Sequence, residues 1–160
     1  MILLVCTNIF YIFALMSDEN HPYCQCLYYS STALSRMVTK MAEEEFAITG
    51  LSPSYAFIMM SLNKADDMTP GELAEIMLLT PSTITRLVEK LERKKLAKRT
   101  FEGRNTLISS TEKGKALNNI ILKAWNNFYQ RYKNILGQEI STDLTEKIYN
   151  AVRLFENSKS

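Results

Sequence analysis

Apolar positions in this chain recur mainly at helical spacing. Over residues 23–45, Leu27, Leu34, Val38 and Met41 repeat at steps of seven, four and three, with polar residues between. That spacing predicts a helix with one apolar stripe. Gly50 ends the following turn. Ser52-Pro53 opens a helix to about residue 63, whose Tyr55, Phe57, Ile58, Met60 and Leu62 leave it apolar nearly all round. A helix of that kind is central and buried. Residues 64–67 read as a loop. Two short helices follow, near 70–77 and 81–94, each opened by Thr-Pro. Thr69-Pro70-Gly71-Glu72 has the spacing of a capping box, and Pro70 sits where a missing N–H costs nothing. The helix after Thr80-Pro81 has Ile84, Leu87, Val88 and Leu91 as its buried stripe.

The period then changes. Residues 96–99 and 106–109 read as short strands, and Phe101-Glu102-Gly103-Arg104 supplies the turn, with Gly103 available for positive φ. Ser110 or Thr111 caps a helix expected to run unbroken to residue 136, about 39 Å at 1.5 Å per residue. Its stripe is Leu117, Ile120, Ile121, Ala124, Phe128, Tyr132 and Ile135, and Gly137 stops it. A last helix, about 141–157, carries Leu144, Ile148, Ala151, Val152 and Phe155. The expected fold is mainly α with a small β-hairpin wing: a winged helix-turn-helix with N- and C-terminal dimerisation helices. The expected division is 1–22 as an apolar extension, 23–50 as a dimerisation helix, 51–110 as the winged helix-turn-helix and 111–160 as C-terminal dimerisation helices. The terminal helices have apolar faces that nothing else in the chain covers, so a second copy is the simplest partner. A two-fold dimer would set two recognition helices about one DNA turn apart.

Composition supports a globular chain. Hydrophobic residues make up 46% of the 160, with 5 Gly and 4 Pro, too few for disorder. The net charge is +2, but residues 80–115 hold ten Lys/Arg against four Glu, a local +6, and the remainder carries −4. A basic segment in an otherwise acidic chain suggests a polyanion site. Three widely spaced cysteines, Cys6, Cys24 and Cys26, are no disulfide framework and fit a reducing, cytoplasmic setting. Residues 1–16 are strongly apolar. They read as a membrane anchor, an extra helix on a dimer layer, or a translation start set too early. Met16-Ser17-Asp18-Glu19 favours the last, and no membrane partner is expected.

The chemistry concentrates on the 81–94 helix. Opposite its apolar stripe lie Ser82, Thr83, Thr85, Arg86 and Lys90. Hydroxyls and a guanidinium at a helix N-terminus can bond phosphates and base edges, although the same hydroxyls also serve helix capping. Lys98 and Arg99 on the incoming strand and Arg104 at the hairpin tip extend the basic surface. No nucleophile–base pair, phosphate-binding glycine loop or His/Asp/Glu cluster appears, so an enzyme, a cofactor and a bound metal are not expected. His21, Cys24 and Cys26 make only a weak zinc corner. A winged-helix module whose basic face meets an acidic protein is the alternative to a DNA-binding regulator.

Several stretches together resemble the multiple-antibiotic-resistance regulator (MarR) family of transcription factors. They are Leu73-Ala74-Glu75, the run from Pro81 to Glu92 (PSTITRLVEKLE), Leu96-Ala97-Lys98-Arg99 and the stretch from Arg104 to Gly114. In order and length the match covers about residues 23–157. The resemblance implies a homodimer on double-stranded DNA, with a palindromic operator. The 81–94 helix would enter the major groove and Arg104 the minor groove. By position, Ser82, Thr83, Thr85 and Arg86 match the base- and phosphate-contacting face. The chain departs from the family in having Glu102 where an Asp usually precedes the wing arginine, a wing a few residues shorter, Lys95 in place of a helix-ending glycine, and Met77-Leu78 where a small residue is common. The stretch from Tyr23 to Ser31 also resembles the organic-hydroperoxide-sensing branch, with Cys24 as the candidate redox-sensing thiol at a helix start and Tyr28 four residues on. Val38 and Ser52 stand where that branch has tyrosines. A peroxide is therefore one candidate signal. The other is a small aromatic effector in a cleft lined by Tyr28, Tyr55 and Phe57, although aromatics at helical spacing more often form core.

Overall fold

The computed structural model describes residues 22–65, 67–103 and 105–158. The apolar run at 1–16 and the candidate ligand His21 lie outside the described residues. The chain divides into two compact units, Met1–Met41 and Ala42–Ser160, and helix α1 (Leu27–Phe46) begins in the first and ends in the second. It starts four residues later than expected, because residues 22–25 form a turn, with the Cys26 N–H bonding the Tyr23 carbonyl at 2.8 Å. In the first unit Leu34, Val38 and Met41 are half-buried and Leu27 is exposed.

The second unit is built on α2 (Pro53–Lys64), whose Ala56, Ile58, Met59 and Leu62 are buried. Phe57 stands edge-on to Phe46 and to Trp125, with ring centroids 5.4 and 5.5 Å away. These contacts tie the end of α1 to α2 and α2 to α6 (Asn118–Leu136). Arg131 on α6 forks onto Glu44 at 2.7 Å and Glu45 at 3.0 Å. Those two carboxylates hold its pKa above the ordinary value.

The helix expected to run unbroken from Thr111 is divided at Leu117 into α5 (Glu112–Ala116) and α6. Thr111 is the cap, its hydroxyl accepting from the Gly114 N–H at 3.1 Å. Gly114 lies so close to the Leu96 carbonyl that a Cβ would not fit. The Gly114 carbonyl also accepts from Asn63, which donates to Asn118 as well. This first turn is therefore held against the base of the wing and the end of α2. Gly137, at φ +82, ends α6, and α7 (Gln138–Asn157) starts at the very next residue. The helix expected from about 141 thus begins three residues earlier, and Ser141 is a buried first-turn residue, its hydroxyl donating to the Gln138 carbonyl at 2.9 Å.

Helices α3 (Pro70–Met77) and α4 (Pro81–Arg93) pack on each other, and β1 (Ala97–Glu102) pairs antiparallel with β2 (Asn105–Ser110). The strands run longer than the periodicity suggested. Pairing persists to Glu102↔Asn105 because Gly103, at φ +61, allows a two-residue turn. Met68 and Ile108 exchange N–H···O bonds of 2.8 and 2.9 Å, adding a one-residue third strand ahead of α3.

Candidate nucleic-acid interface

The turn into α4 is fixed from both sides. The capping box forms as expected: Thr69 Oγ1 accepts from the Glu72 N–H at 3.2 Å, and Glu72 Oε2 accepts from the Thr69 N–H at 2.7 Å. Those bonds from Thr69 hold the Glu72 carboxyl below its ordinary pKa. Helix α3 then closes on Leu78, at φ +51, with the Leu79 N–H reaching the Ala74 carbonyl at 3.0 Å. Helix α4 closes the same way on Lys95, at φ +59, with the Leu96 N–H on the Leu91 carbonyl at 2.9 Å. Both are left-handed helix stops, normally glycine's role. They fall at two of the positions where the sequence departs from the family pattern, so those residues take up the strained conformation and the geometry survives.

Three side chains of α4, Ile84, Val88 and Leu91, are fully buried. Their spacing turns Ser82, Arg86 and Lys90 to solvent and leaves Thr83 and Thr85 half-exposed. Thr80 Oγ1 caps the helix, accepting from the Thr83 N–H at 3.3 Å, and lies 3.0 Å from Ser82 Oγ and 2.9 Å from Thr83 Oγ1. Thr85 donates back to the Pro81 carbonyl at 3.0 Å. The first turn is thus a connected patch of hydroxyls, still able to share bonds with an outside acceptor. Neither Arg86 nor Lys90 is in an ion pair among the described residues.

The two cations of β1 part company. Arg99 turns inward, donating from Nη2 to the Thr85 carbonyl at 3.1 Å and lying 3.5 Å from Glu92. Lys98, the next residue on a strand whose side chains alternate, lines a polar cleft of about 360 Å³ with Lys115, Asn63 and Ser109. Arg104 lies outside the described residues. Sequence reasoning missed Lys113, whose ammonium donates to the Lys94 carbonyl at 3.0 Å and favours the negative end of α4. Its place in the run Thr111-Glu112-Lys113-Gly114 gave no hint of a partner 19 residues back.

The other candidates stand apart from this face. Cys24 lies in the turn before α1 rather than at its first residue, and both Cys24 and Cys26 are exposed rather than buried. Ser30 donates to the Cys24 carbonyl at 2.7 Å. Of the expected effector-cleft residues, Phe57 is part of the aromatic ladder, Tyr55 is half-buried on α2, and Tyr28 is exposed in the first unit. A separate open cleft of about 400 Å³ is lined by Met68, Glu72, Glu75, Ile76, Leu78 and Tyr149. Among the described residues, no helix is long and apolar enough to cross a membrane.

Comparison with known proteins places this architecture. A sequence model of the MarR family matches residues 49–105. The transcriptional regulator SarZ of Staphylococcus aureus is 31% identical over 144 residues, covering 84% of this chain and 90% of its own. The Mycobacterium tuberculosis regulator MOSR, solved in complex with DNA, superposes with a TM-score of 0.75 at 19% identity, covering 84% of this chain and 99% of its own. CouR of Rhodococcus jostii, solved with p-coumaroyl-CoA, gives 0.64 at 25% identity, covering 79% and 91%.

Proposed function

The chain belongs to the MarR family of winged-helix transcriptional regulators, and from that premise we propose that it is a homodimeric repressor whose α4 reads the major groove of a palindromic operator. The observation that carries this is the division of α4. Ile84, Val88 and Leu91 fix one face in the core, and that leaves Ser82, Thr83, Thr85, Arg86 and Lys90 on the face open to solvent. Hydroxyls supply bonds to phosphates, and Arg86 supplies a bidentate donor for a guanine edge. Arg104 at the wing tip is the proposed minor-groove contact, and Lys98 adds charge along the hairpin.

The dimer rests on α7. Ile140, Ile148, Tyr149, Leu154 and Phe155 are all exposed, Leu154 by 72%, more apolar surface than one solvated helix ordinarily shows. A second copy covers it and supplies the second reading head. Leu154→Asp is expected to halve the mass in sedimentation equilibrium, whereas an unchanged dimer would remove α7 from the interface.

Footprinting on a duplex obtained by in vitro selection tests the central reading. A two-fold protected site and a steep salt slope are expected, and Arg86→Ala is expected to cost about 1–3 kcal/mol on that duplex and far less on random DNA. Binding to an acidic protein with no footprint would instead favour the interaction-module alternative. For the signal, exposure of Cys24 and Cys26 supports release by oxidation. Cumene hydroperoxide is expected to release DNA from the wild type and not from Cys24→Ser. Unchanged binding of the treated wild type would leave a small aromatic effector as the candidate signal.

A further inference from the structure

Phe101 has no structural duty in the fold. It is 77% exposed on β1, and among the described residues from 80 to 121 it is the one large apolar side chain left at the surface. The other large exposed apolar side chains lie on α1 and the turn before it, at Ile48, on α3 and its following turn, and on α6 and α7. Its neighbours in the hairpin are polar: Thr100, Glu102, Asn105 and its cross-strand partner Thr106. Leaving a Phe in water forgoes about 2 kcal/mol of burial, and a polar residue would suit an idle wing strand better.

Its direction follows from the pleat. Side chains two apart on a strand share a face, so Phe101 is on the same side of the hairpin as Arg99. Arg99 reaches the Thr85 carbonyl and Glu92, which fixes that side as the one facing α4. Phe101 lies about 7 Å further toward the tip. The ring is therefore on the α4 side of the hairpin and open to solvent, two residues before Gly103.

Given the DNA-reading role proposed above, on which this inference rests, we propose that Phe101 is an apolar wedge that enters the minor groove beside the recognition helix and unstacks one base step, bending the operator. An aromatic ring suits that role, since apolar side chains inserted between base steps kink DNA toward the major groove. The local +6 of residues 80–115 draws the phosphates onto the hairpin, and the tight turn lets a residue on the strand itself reach the groove. The residue pattern placed Phe101 in the turn, whereas it belongs to β1.

The test uses the full chain and the selected duplex in three forms: unlabelled, end-labelled for energy transfer, and carrying 2-aminopurine at successive steps of the wing-contacted region. Wild type is expected to shorten the end-to-end distance and raise 2-aminopurine emission at one step per half-site. Phe101→Ala, a surface change that spares the core, is expected to abolish both signals and weaken specific binding about tenfold with an unchanged salt slope. Phe101→Leu is expected to keep most of the bend. The proposal is overturned if Phe101→Ala bends and binds the duplex like wild type. It is equally overturned if the variant instead lowers the oligomeric mass, since the ring then covers protein. A wild type that protects no duplex would bring down the DNA-reading role itself.

Discussion

Gly114 gives the sharpest quantitative test of the packing. It sits in the first turn of α5, where an alanine would ordinarily stabilise a helix by about 1 kcal/mol. Here an added Cβ would come within 3.0 Å of the Leu96 carbonyl, Ser110 Oγ and Met59 Cε. Met59 and Ser110 could swing aside. The Leu96 carbonyl cannot, because it is main chain and accepts from the Thr111 N–H at 3.0 Å. Overpacking against a fixed atom costs about 3 kcal/mol, the upper end of its usual range. Less the propensity gain, Gly114→Ala is expected to lose about 2 kcal/mol. With a urea slope of about 2 kcal/mol/M, the unfolding midpoint falls by about 1 M, read by circular dichroism at fixed protein concentration because the stability of the proposed dimer would depend on it. Gly71→Ala is the matched control: Gly71 lies in the first turn of α3 with only Thr69 Oγ1, 3.8 Å away, near an added Cβ. It is expected to gain about 0.5 kcal/mol. If Gly114→Ala raised the midpoint as Gly71→Ala does, the tight packing of α5 on the wing base would be refuted.

Four further substitutions probe the site and its supports. The Glu72 carboxyl titrates below its ordinary 4.5 in the folded protein, so its contribution is complete above 4.5 and is lost as pH falls through the depressed folded value. Wild type and Glu72→Gln should differ in thermal midpoint at pH 7 and converge in acid, and a gap that held at low pH would mean the capping box is not charge-assisted. Arg99→Ala is expected to weaken DNA binding with no change in salt slope, since the guanidinium holds α4 rather than a phosphate, and a double-mutant cycle with Glu92→Ala should give a coupling of about 0.5–1 kcal/mol. A slope lowered by about 1 would make Arg99 a phosphate contact instead. Lys95→Gly, which relieves a left-handed lysine, is expected to stabilise by about 0.5 kcal/mol, and destabilisation in urea would show that the lysine stem packs usefully there.

Much of the fold was legible because its signals are local. The Thr-Pro openers and the α4 stripe each depend on residues within a few positions of one another and appear where the pattern placed them, except that Leu87 is only half-buried and that the turn shrinks around Gly103 as Phe101 and Glu102 join β1. What escaped depends on distant partners. The break at Leu117 follows a turn whose Gly114 meets the Leu96 carbonyl and Asn63, a meeting no helical periodicity encodes. Arg99 and Lys98 look alike as neighbouring cations, and only the strand pleat sends one to α4 and the other to the opposite cleft. The late start of α1 has a local cause instead: the Cys26 N–H bonds the Tyr23 carbonyl and closes a turn ahead of the helix.

Gly137 serves at once as the C-cap of α6 and the N-cap of α7. Two long rods thus share a single pivot, with no linker to absorb error. Helix α7 has 20 residues, about 30 Å of arm, so a 10° change in the torsions at that one glycine would sweep its far end through about 5 Å. In the proposed dimer, where α7 would join two copies, that sweep would become a change in the distance between their reading heads. The torsions of one glycine would thereby set the gauge of that assembly.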